Sequence, residues 1–483
     1  MGLKLAKFKW VRLYICVAAV ISAVLFLLIV QPRTEAASSP KSSEHYVKGT
    51  AYGFDLNLGA ELIHHSVVVT NGTEQRLVYI RSSPGSDLPN ELCSIDPVKQ
   101  TERCEPMSNR YPDDGMYGPN QMYGVWNKQE VVYTRVSDKK TKTDFNYDVV
   151  RWNPFTGKRT VVTTQPVEFE YGNVFEPWYN NSWIPTAGTL TVHHYSGAIQ
   201  TIDVKMGKVV NWKGKYRPVL DNLFVSYLSP DDSRVWLDDD LDYPVGIYDQ
   251  TGKRYSQKDH HEELLNPDVW TTSYPGATWS DDSKYVYLSY AKDEKHRIDM
   301  VETYDVIPQL IDLLDRNGQR IARFKADNFR SGSIEVLGWT AHDQYLVLKK
   351  YQLRGEQKTD VRYELFDPKT RSLSPLSVAK DWRTISKPLL VGDVSGLLDV
   401  KTRQLYPFEH SFDLTMDNSA VRISISNKKL TMETLDWQNK TMEKKTQTVN
   451  IENFNPIMIT HEWLIDETGK IIDLKKLFGG SKG

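Results

Sequence analysis

The apolar residues of this chain fall in short runs of four to six that alternate with polar, turn-forming stretches. The runs are rich in β-branched and aromatic residues, as strands are, and they lack the three-to-four-residue apolar spacing of amphipathic helices. Typical examples are Leu77–Ile80, Val131–Thr134, Tyr285–Leu288 and Tyr345–Leu348. The pattern therefore predicts an all-β protein built from many short strands.

A short turn phrase recurs nine times between these runs. Two apolar residues precede an Asp or Asn, turn residues follow, and then comes Gly or a basic residue. The side chain of the Asp or Asn accepts a hydrogen bond from the backbone ahead of it, and Gly provides a left-handed conformation that ends the turn. We therefore predict nine hairpins, at Asp96, Asn153, Asp203, Asp249, Asp315, Asp367, Asp399, Asp436 and Asp466.

The spacing of the phrase indicates a repeat fold. The steps between the acidic positions are 57, 50, 46, 66, 52, 32, 37 and 30 residues, and a four-stranded propeller blade needs roughly 40–50. We predict a single closed β-propeller over residues 46–477, with eight blades favoured and seven next. Nine phrases would literally give nine blades, but the short last steps point to an incomplete unit. A strand from the region Tyr46–Leu58 is expected to close the ring with the last blade.

A second phrase precedes the first in several repeats. It is clearest at Ser229–Leu237 and Trp279–Tyr287, and weaker copies are Trp339–Leu346 and Thr415–Val421. The phrase resembles the TolB-type propeller repeat, whose signature is Trp-Ser-Pro-Asp-Gly-Lys followed by a strand. The resemblance implies a propeller fold, without the hydrolase domain that some such propellers accompany. The signature's Gly is replaced in this chain by Asp232, Ser283, Asp343 and Asn418.

In such a repeat both phrases lie at the same face of the disc, because successive strands alternate in direction. The remaining connections, which include Asp238–Pro244, Ala291–Gln309 and Gln352–Asp360, are long and irregular in the sequence. We expect these loops to form the opposite face and to carry any binding surface. Helix is expected in the N-terminal apolar segment and in the region Ile307–Leu314.

The N-terminus has the pattern of a targeting segment. Residues 1–12 are basic and precede an uncharged apolar run over residues 13–30. A run of this length fits a transmembrane helix or the core of a cleaved signal peptide, and the basic flank stays in the cytoplasm. Residues 31–45 have the composition of a flexible stalk, and residues 478–483 form a tail. The bulk of the chain is thus predicted to be extracytoplasmic, anchored in the cell membrane or secreted if the signal is cleaved.

Two of the three cysteines flank the first predicted turn. If Asp96 and Thr101 face each other across that turn, then three residues further out on each strand Cys93 faces Cys104. Directly opposed strand residues are close enough to form a disulfide, and an oxidising compartment would favour one. We predict a Cys93–Cys104 bridge, with two free thiols as the alternative.

The sequence offers no local catalytic, metal or cofactor motif. Gly392–Gly396 lacks the spacing of a serine-hydrolase elbow, and His260 and His461 lack the second His of a zinc helix. The near-balanced charge argues against nucleic-acid binding. Clustered carboxylates at Asp238, Asp239, Asp240 and Asp242 form either a solvated acidic loop or a Ca²⁺ site, and we favour the loop as a candidate binding element.

Two functions remain in view. The first is a non-catalytic binding module that presents its loop face to a protein or a cell-envelope polymer and reaches the membrane through residues 13–30. The second is an enzyme of lyase, lactonase or glycosidase type, whose site at the propeller channel is built from residues scattered over several blades. Several ionisable groups converging at a channel mouth would favour the enzyme.

Overall fold

The fold is seen in a computed structural model, which describes the residues of the strands, their turns and parts of their connections. The described residues are 33–34, 45–56, 58, 63–82, 89–107, 120–137, 146–166, 182–193, 198–215, 226–237, 246–255, 270–292, 308–328, 331–355, 357–392, 394–414, 420–426, 429–449, 456–459 and 462–479.

These residues form an all-β, propeller-like fold, as predicted. The N-terminal strands are β1 (Arg33–Thr34), β2 (His45–Tyr46), β3 (Lys48–Thr50) and β4 (Gly53–Asp55). The later strands fall into nine consecutive antiparallel groups, which we number in chain order. Groups 1, 2, 3, 5, 6 and 8 are four-stranded meanders, and the other three depart from that pattern.

The first five groups are as follows. Group 1 contains β5 (Ile63–Asn71), β6 (Glu74–Ser82), β7 (Pro89–Asp96) and β8 (Thr101–Pro106). Group 2 contains β9 (Gln121–Trp126), β10 (Glu130–Val136), β11 (Asn146–Asn153) and β12 (Lys158–Pro166). Group 3 contains β13 (Ser182–Ile184), β14 (Thr189–His193), β15 (Ala198–Asp203) and β16 (Val209–Lys215). Group 4 contains β17 (Ser226–Leu228), β18 (Arg234–Leu237) and β19 (Gly246–Asp249). Group 5 contains β20 (Trp270–Trp279), β21 (Tyr285–Lys292), β22 (Leu310–Asp315) and β23 (Arg320–Lys325).

Four groups complete the chain. Group 6 contains β24 (Gly332–Trp339), β25 (Leu346–Arg354), β26 (Gln357–Asp367) and β27 (Ser372–Val378). Group 7 contains β28 (Leu389–Val391), β29 (Gly396–Asp399) and β30 (Gln404–Pro407), and it joins group 6 through a parallel β27–β30 pair. Group 8 contains β31 (Asp413–Leu414), β32 (Ala420–Ser426), β33 (Lys429–Asp436) and β34 (Thr441–Thr448). Group 9 contains β35 (Pro456–Ile459), β36 (Trp463–Asp466) and β37 (Lys470–Asp473).

Helix is scarce in the described part of the chain. Two 3-10 turns span Ala341–Asp343 and Trp382–Thr384, and one short α-helix, α1, spans Leu474–Phe478. The expected helix around Ile307–Leu314 is wrong, because Leu310–Asp315 is strand β22, whose residues are nearly all buried. Helix α1 was not foreseen; the Asp473 side chain caps it by accepting a hydrogen bond from the backbone N–H of Lys476.

All nine predicted turns are present, and each is held by the interaction that the sequence indicated. The first side-chain oxygen of every Asp or Asn accepts a hydrogen bond from the backbone N–H two residues ahead, at 2.8–3.1 Å. Glycines close five turns in the left-handed conformation, for example Gly157 at φ 71°. Non-glycine residues do so in the other four: Gln100, Arg371, Arg403 and Lys440.

The prediction that all nine turns share one face is wrong. In groups 7 and 9 the Asp turn follows the second strand of the group rather than the third. It therefore lies at the end of the sheet opposite to the turn that joins the first two strands. Two backbone hydrogen bonds show this. Gly392 N, directly after β28, donates to Trp339 O beside the first turn of group 6, so β29 and the Asp399 turn that ends it run away from that face. Ile63 N, at the start of β5, donates to Glu467 O in the Asp466 turn, so this turn lies at the end where β5 begins. The steps that lead to Asp399 and Asp466 are the two shortest, 32 and 30 residues.

The second phrase forms the first turn of groups 4, 5 and 6. Asp232, Ser283 and Asp343 have φ of 52°, 59° and 50°, so the residues that replace Gly adopt the conformation that Gly would have provided. Asn418 lies outside the described residues. Each of these three side chains also accepts a hydrogen bond from the preceding group: Asp232 from Thr191 Oγ1, Ser283 from Asp231 N, and Asp343 from Asp282 N.

Apolar clusters fill the spaces between consecutive groups. Trp152 and Tyr133 of group 2 pack against Val78 of group 1, for example, and Phe324 of group 5 packs against Phe366 of group 6. A further cluster joins group 9 to group 1. The core of the molecule is therefore a series of interfaces between neighbouring groups.

The N-terminal strands run along the outer edges of three groups in reverse chain order. Strand β1 pairs with β12 of group 2, β2 pairs with β8 of group 1, and β4 pairs with β37 of group 9, all antiparallel. Phe54 is buried and stacks on Trp463, with ring centroids 6.1 Å apart. The expected pairing of the Tyr46–Leu58 region with the last strands is thus observed. Strands β1 and β2 lie within or at the end of the predicted stalk, residues 31–45.

The left-handed turn positions lead to a pair of opposite predictions. Replacing Gly157 with Ala should lower the free energy of unfolding by about 1 kcal/mol, since an L-residue is strained there and the new Cβ meets only Arg103 at ordinary contact distance. Replacing Arg403, at φ 55°, with Gly should instead raise it by about 0.5 kcal/mol, because relief of strain exceeds the added unfolded-state entropy. Urea denaturation of both variants checks this. Changes of the same sign would contradict the assignment of these positions.

Candidate binding surface

Most of the predicted binding loops fall outside the described residues. This holds for Asp238, Asp239, Asp240 and Asp242 and for most of Ala291–Gln309. The flanks of the acidic segment are described: Leu237 pairs with Gly246 at the end of group 4 that is opposite to Asp249. We call the end of the sheets that is opposite to the Asp249 and Asp367 turns the loop end. The acidic segment itself lies outside the described residues, so its role as a binding element stays a prediction.

The Gln352–Asp360 connection, expected as an irregular loop, is instead a continuation of strands β25 and β26. The two strands stay paired through Gln352 with Thr359, Leu353 with Lys358 and Arg354 with Gln357, and Gly355 at φ 63° begins the turn. The pairing of β25 with β24 ends at Gln352, and the pairing of β26 with β27 ends at Tyr363. The hairpin tip thus projects beyond both neighbouring strands, at the end of group 6 opposite to the Asp367 turn.

A tyrosine and two charged side chains brace one side of this hairpin. The Tyr351 hydroxyl donates to Glu335 of β24, and Lys358 Nζ lies 3.1 Å from the same carboxylate oxygen. Lys358 Nζ also lies 4.4 Å from the centroid of the Tyr351 ring, within cation–π range. Burial and the bond to Glu335 raise the pKa of Tyr351. Burial works against the charged form of Lys358, but Glu335 outweighs it and raises the pKa of that ammonium group.

A polar bracket supports the base of the hairpin. Asn328 Oδ1 accepts from Ser331 N and Gly332 N, and Asn328 Nδ2 donates to Gln352 Oε1 at 2.9 Å. Leu353 N donates to Ser331 O, which ties β25 to the same bend. Arg362 of β26 pairs with Asp327. These contacts fix the base of the hairpin to Asp327 and to the bend at Asn328 and Ser331.

The exposed part of the hairpin is mainly basic and polar. Arg354, Gln357, Lys358 and Arg362 are exposed, and Val361 adds an exposed apolar side chain. The strand register shifts opposite Tyr351, and Asp360 there has φ 53°, which Asp tolerates better than most residues. Such a bulge re-aims the side chains beside it. The signal for this element in the sequence was Gly355 between two alternating polar and apolar segments.

The predicted disulfide is confirmed. Cys93 of β7 lies opposite Cys104 of β8, with Cα atoms 4.0 Å apart, in the register that the Asp96–Thr101 turn imposes. The neighbouring Tyr79 is fully buried and donates a hydrogen bond to Glu102. Its burial and, to a lesser extent, the charge of Glu102 raise the pKa of its hydroxyl well above the ordinary value. Arg81 lies close to both Glu102 and Glu91.

Several other buried charges of the described residues are paired with a side chain on an adjacent strand. Arg135 meets Asp148 at 3.3 Å, and Thr164 donates to the same carboxylate at 2.7 Å. The Arg323 guanidinium donates two hydrogen bonds to Asp312, at 2.7 and 2.8 Å, and Arg422 pairs with Glu433. These pairs join adjacent strands, so they serve the scaffold.

In the described part of the chain no helix is long and apolar enough to cross a membrane, and the predicted span 13–30 lies outside that part.

Neither protein-family models nor curated proteins match this sequence. Solved structures with similar folds include a Myceliophteria thermophila Cps50 (Swd1) beta-propeller domain, with 14% identity over 76% of this chain and 98% of that chain and a TM-score of 0.32. Oligogalacturonate lyase from Vibrio parahaemolyticus has 10% identity over 90% and 97%, with a TM-score of 0.35. TolB from Acinetobacter baumannii has 11% identity over 66% and 80%, with a TM-score of 0.22. At these scores the comparisons carry no argument, and the fold assignment rests on the strands described above.

The polar bracket gives a test of how the hairpin is held. Replacing Asn328 with Ala removes the acceptor of two backbone N–H groups and should lower the free energy of unfolding by about 1 kcal/mol. It should also speed amide hydrogen exchange at Leu353–Thr359 more than at β33, a distant strand that serves as the internal control. Uniform exchange in both segments would show that the bracket does not fix the hairpin.

Proposed function

We propose that this chain is a non-catalytic binding module that meets its partner at the loop end of the sheets. The observation that supports this best is the β25–β26 hairpin, which projects past its neighbours and is braced from two sides. A braced projecting element loses little conformational entropy when it binds.

The binding surface would extend from the hairpin to the acidic segment Asp238–Asp242. The hairpin lies at the end of group 6 opposite to the Asp367 turn, and Leu237 and Gly246, which flank the acidic segment, lie at the end of group 4 opposite to the Asp249 turn. One carries exposed basic groups and the other clustered carboxylates, so the surface offers both signs of charge. Such a surface suits a protein or a cell-envelope polymer with mixed charges better than it suits a nucleic acid.

We further infer that the groups form a closed ring. The cluster of Phe54, Trp463 and Leu77 between groups 9 and 1 supports closure, as does the β4–β37 pairing. The predicted count of eight blades stays a prediction, because groups 4, 7 and 9 depart from the four-stranded pattern. A closed ring would present the loop-end connections as one rim.

The proposed location follows from the sequence of residues 1–30. Alkaline phosphatase fused after Gly483 should be active, since the enzyme folds only outside the cytoplasm. Neutral residues in place of Lys4, Lys7, Lys9 and Arg12 should lower that activity. An inactive fusion with the unaltered protein, expressed at equal level, would place the body in the cytoplasm.

The binding proposal predicts that affinity and stability respond to different residues. Full-length protein is tested for retention of purified cell-wall polymer and of envelope proteins. Changing Asp238, Asp239, Asp240 and Asp242 together to Asn, or Arg354 and Lys358 to Ala, should weaken retention, most at low salt, and leave the urea midpoint nearly unchanged. The matched variant Asp367→Ala should keep binding and lose roughly 0.5–2 kcal/mol of stability.

The reverse outcome, with loop variants unfolding and Asp367→Ala losing the partner, would show that the surface is assigned to the wrong end. Turnover of an envelope polymer by purified protein would replace the binding proposal with an enzyme at the channel. That reading requires that changing one carboxylate abolishes turnover while the urea midpoint is unchanged.

A further inference from the structure

Three metal-ligand side chains converge on one side of group 1. Glu91 and Cys93 are two residues apart on β7, so they point to the same side of the sheet, and Cys104 lies opposite Cys93 on β8. A Glu91 carboxylate oxygen and the two sulfurs all lie within 4.8 Å of one another. The fold thus gathers two sulfurs and one carboxylate at one position. The sulfurs are bonded to each other here, and they must separate before a cation can lie between them.

The surroundings favour access from one side. Cys93 is fully buried, whereas Cys104 is half-buried and the Glu91 side chain retains 25% exposure. Arg81 Nε donates to Glu91 Oε2 at 2.9 Å and so orients the carboxylate beside the sulfurs. Among the described residues, Cys104 and Glu91 thus form the more exposed side of this position, and the paired strands β7 and β8 hold the three side chains together.

We propose that reduction of the Cys93–Cys104 bridge converts this position into a site for a thiophilic divalent cation such as Zn²⁺. A dithiol supplies two electrons and two protons: the Sγ–Sγ bond breaks, each cysteine sulfur gains a proton, and the reductant leaves as its own disulfide. Binding of the cation then releases both protons. The two thiolates and the Glu91 carboxylate form three ligands, and a water molecule can take the fourth tetrahedral position.

The ligand types select the cation. Thiolates favour Zn²⁺ and its softer analogue Cd²⁺ over Mg²⁺ and Ca²⁺, which prefer oxygen ligands in larger number. In the oxidised protein the sulfurs are bonded to each other and cannot act as thiolate ligands. The position would therefore bind metal in one redox state only, whatever partner the loop end binds.

The test uses the full-length protein carrying Cys16→Ser, so that Cys93 and Cys104 are its remaining cysteines. One portion is reduced with a phosphine: water supplies the oxygen atom of the phosphine oxide and the two protons of the thiols. The reductant is then removed in the absence of oxygen, so that neither a thiol nor the phosphine competes for metal. Cd²⁺ alone, and then Zn²⁺ in competition, is titrated while near-ultraviolet thiolate-to-metal absorption is followed. We expect one Cd²⁺ per reduced chain and no such absorption in the oxidised portion.

Variants separate a built site from stray thiol binding. Cys104→Ser should abolish the one-equivalent absorption, and Glu91→Gln should weaken affinity about tenfold or more. The matched control is Glu130→Gln, which changes another partly exposed glutamate that pairs with an arginine, Arg151, and should bind as the parent does. Equal affinity of the Glu91 and Glu130 variants would overturn the proposal, and so would absence of binding by the reduced protein. Loss of the β-sheet circular dichroism on reduction would also overturn it, because the site requires group 1 to stay folded.

Discussion

The hydrogen bond from an Asp or Asn side chain to the backbone of its own turn is the interaction on which this fold depends. Nine such bonds set nine hairpins, and each hairpin fixes the register of the strands it joins. Where Asp is used, these bonds are stronger when the carboxylate is ionised. Burial disfavours the charge of Asp249, but hydrogen bonds from Thr251 and Tyr255 outweigh it and lower its pKa to about 2. At Asp466 burial dominates and raises the pKa. As the pH falls, the Asp249 turn therefore keeps its ionised carboxylate longer than the Asp466 turn, whose burial makes the charged form costly.

The other kind of turn adds hydrogen bonds between consecutive groups from group 3 to group 6. A Gly at the left-handed position would complete the turn and do nothing more, whereas Asp232, Ser283 and Asp343 complete it and also reach the neighbouring group. Burial and the nearby carboxylates of Asp281 and Asp282 raise the pKa of Asp343. The hydrogen bond from Asp282 N opposes this shift and offsets only part of its electrostatic cost. The three positions at which the chain departs from the Gly of the TolB-type signature are thus positions that hydrogen-bond to the preceding group.

Local chemistry could be read from the sequence, and long-range geometry could not. The turn positions, the all-β class and the Cys93–Cys104 register follow from residues close together in the chain, so the sequence predicted them. The end of the sheet at which Asp399 and Asp466 lie depends on how many strands precede them in their groups, and a missing strand leaves no local mark beyond a short step. The β25–β26 hairpin was missed for a related reason. Its polar residues resemble a loop, and its order comes from Glu335, Asn328 and Asp327, which lie outside it.

The antiparallel pairing of β4 with β37 has a consequence for how the molecule is made. Synthesis releases Gly53–Asp55 long before Lys470–Asp473, so the edge of β4 that pairs with β37 stays open while the intervening residues are produced. Contacts so distant in sequence form late and slowly, because the chain loses the entropy of closing a long loop before the strand pair provides any stabilising free energy. During that interval β37 of another nascent chain can occupy the same edge. Crowded synthesis should therefore yield strand-exchanged chains, joined at the seam where one chain would have met itself.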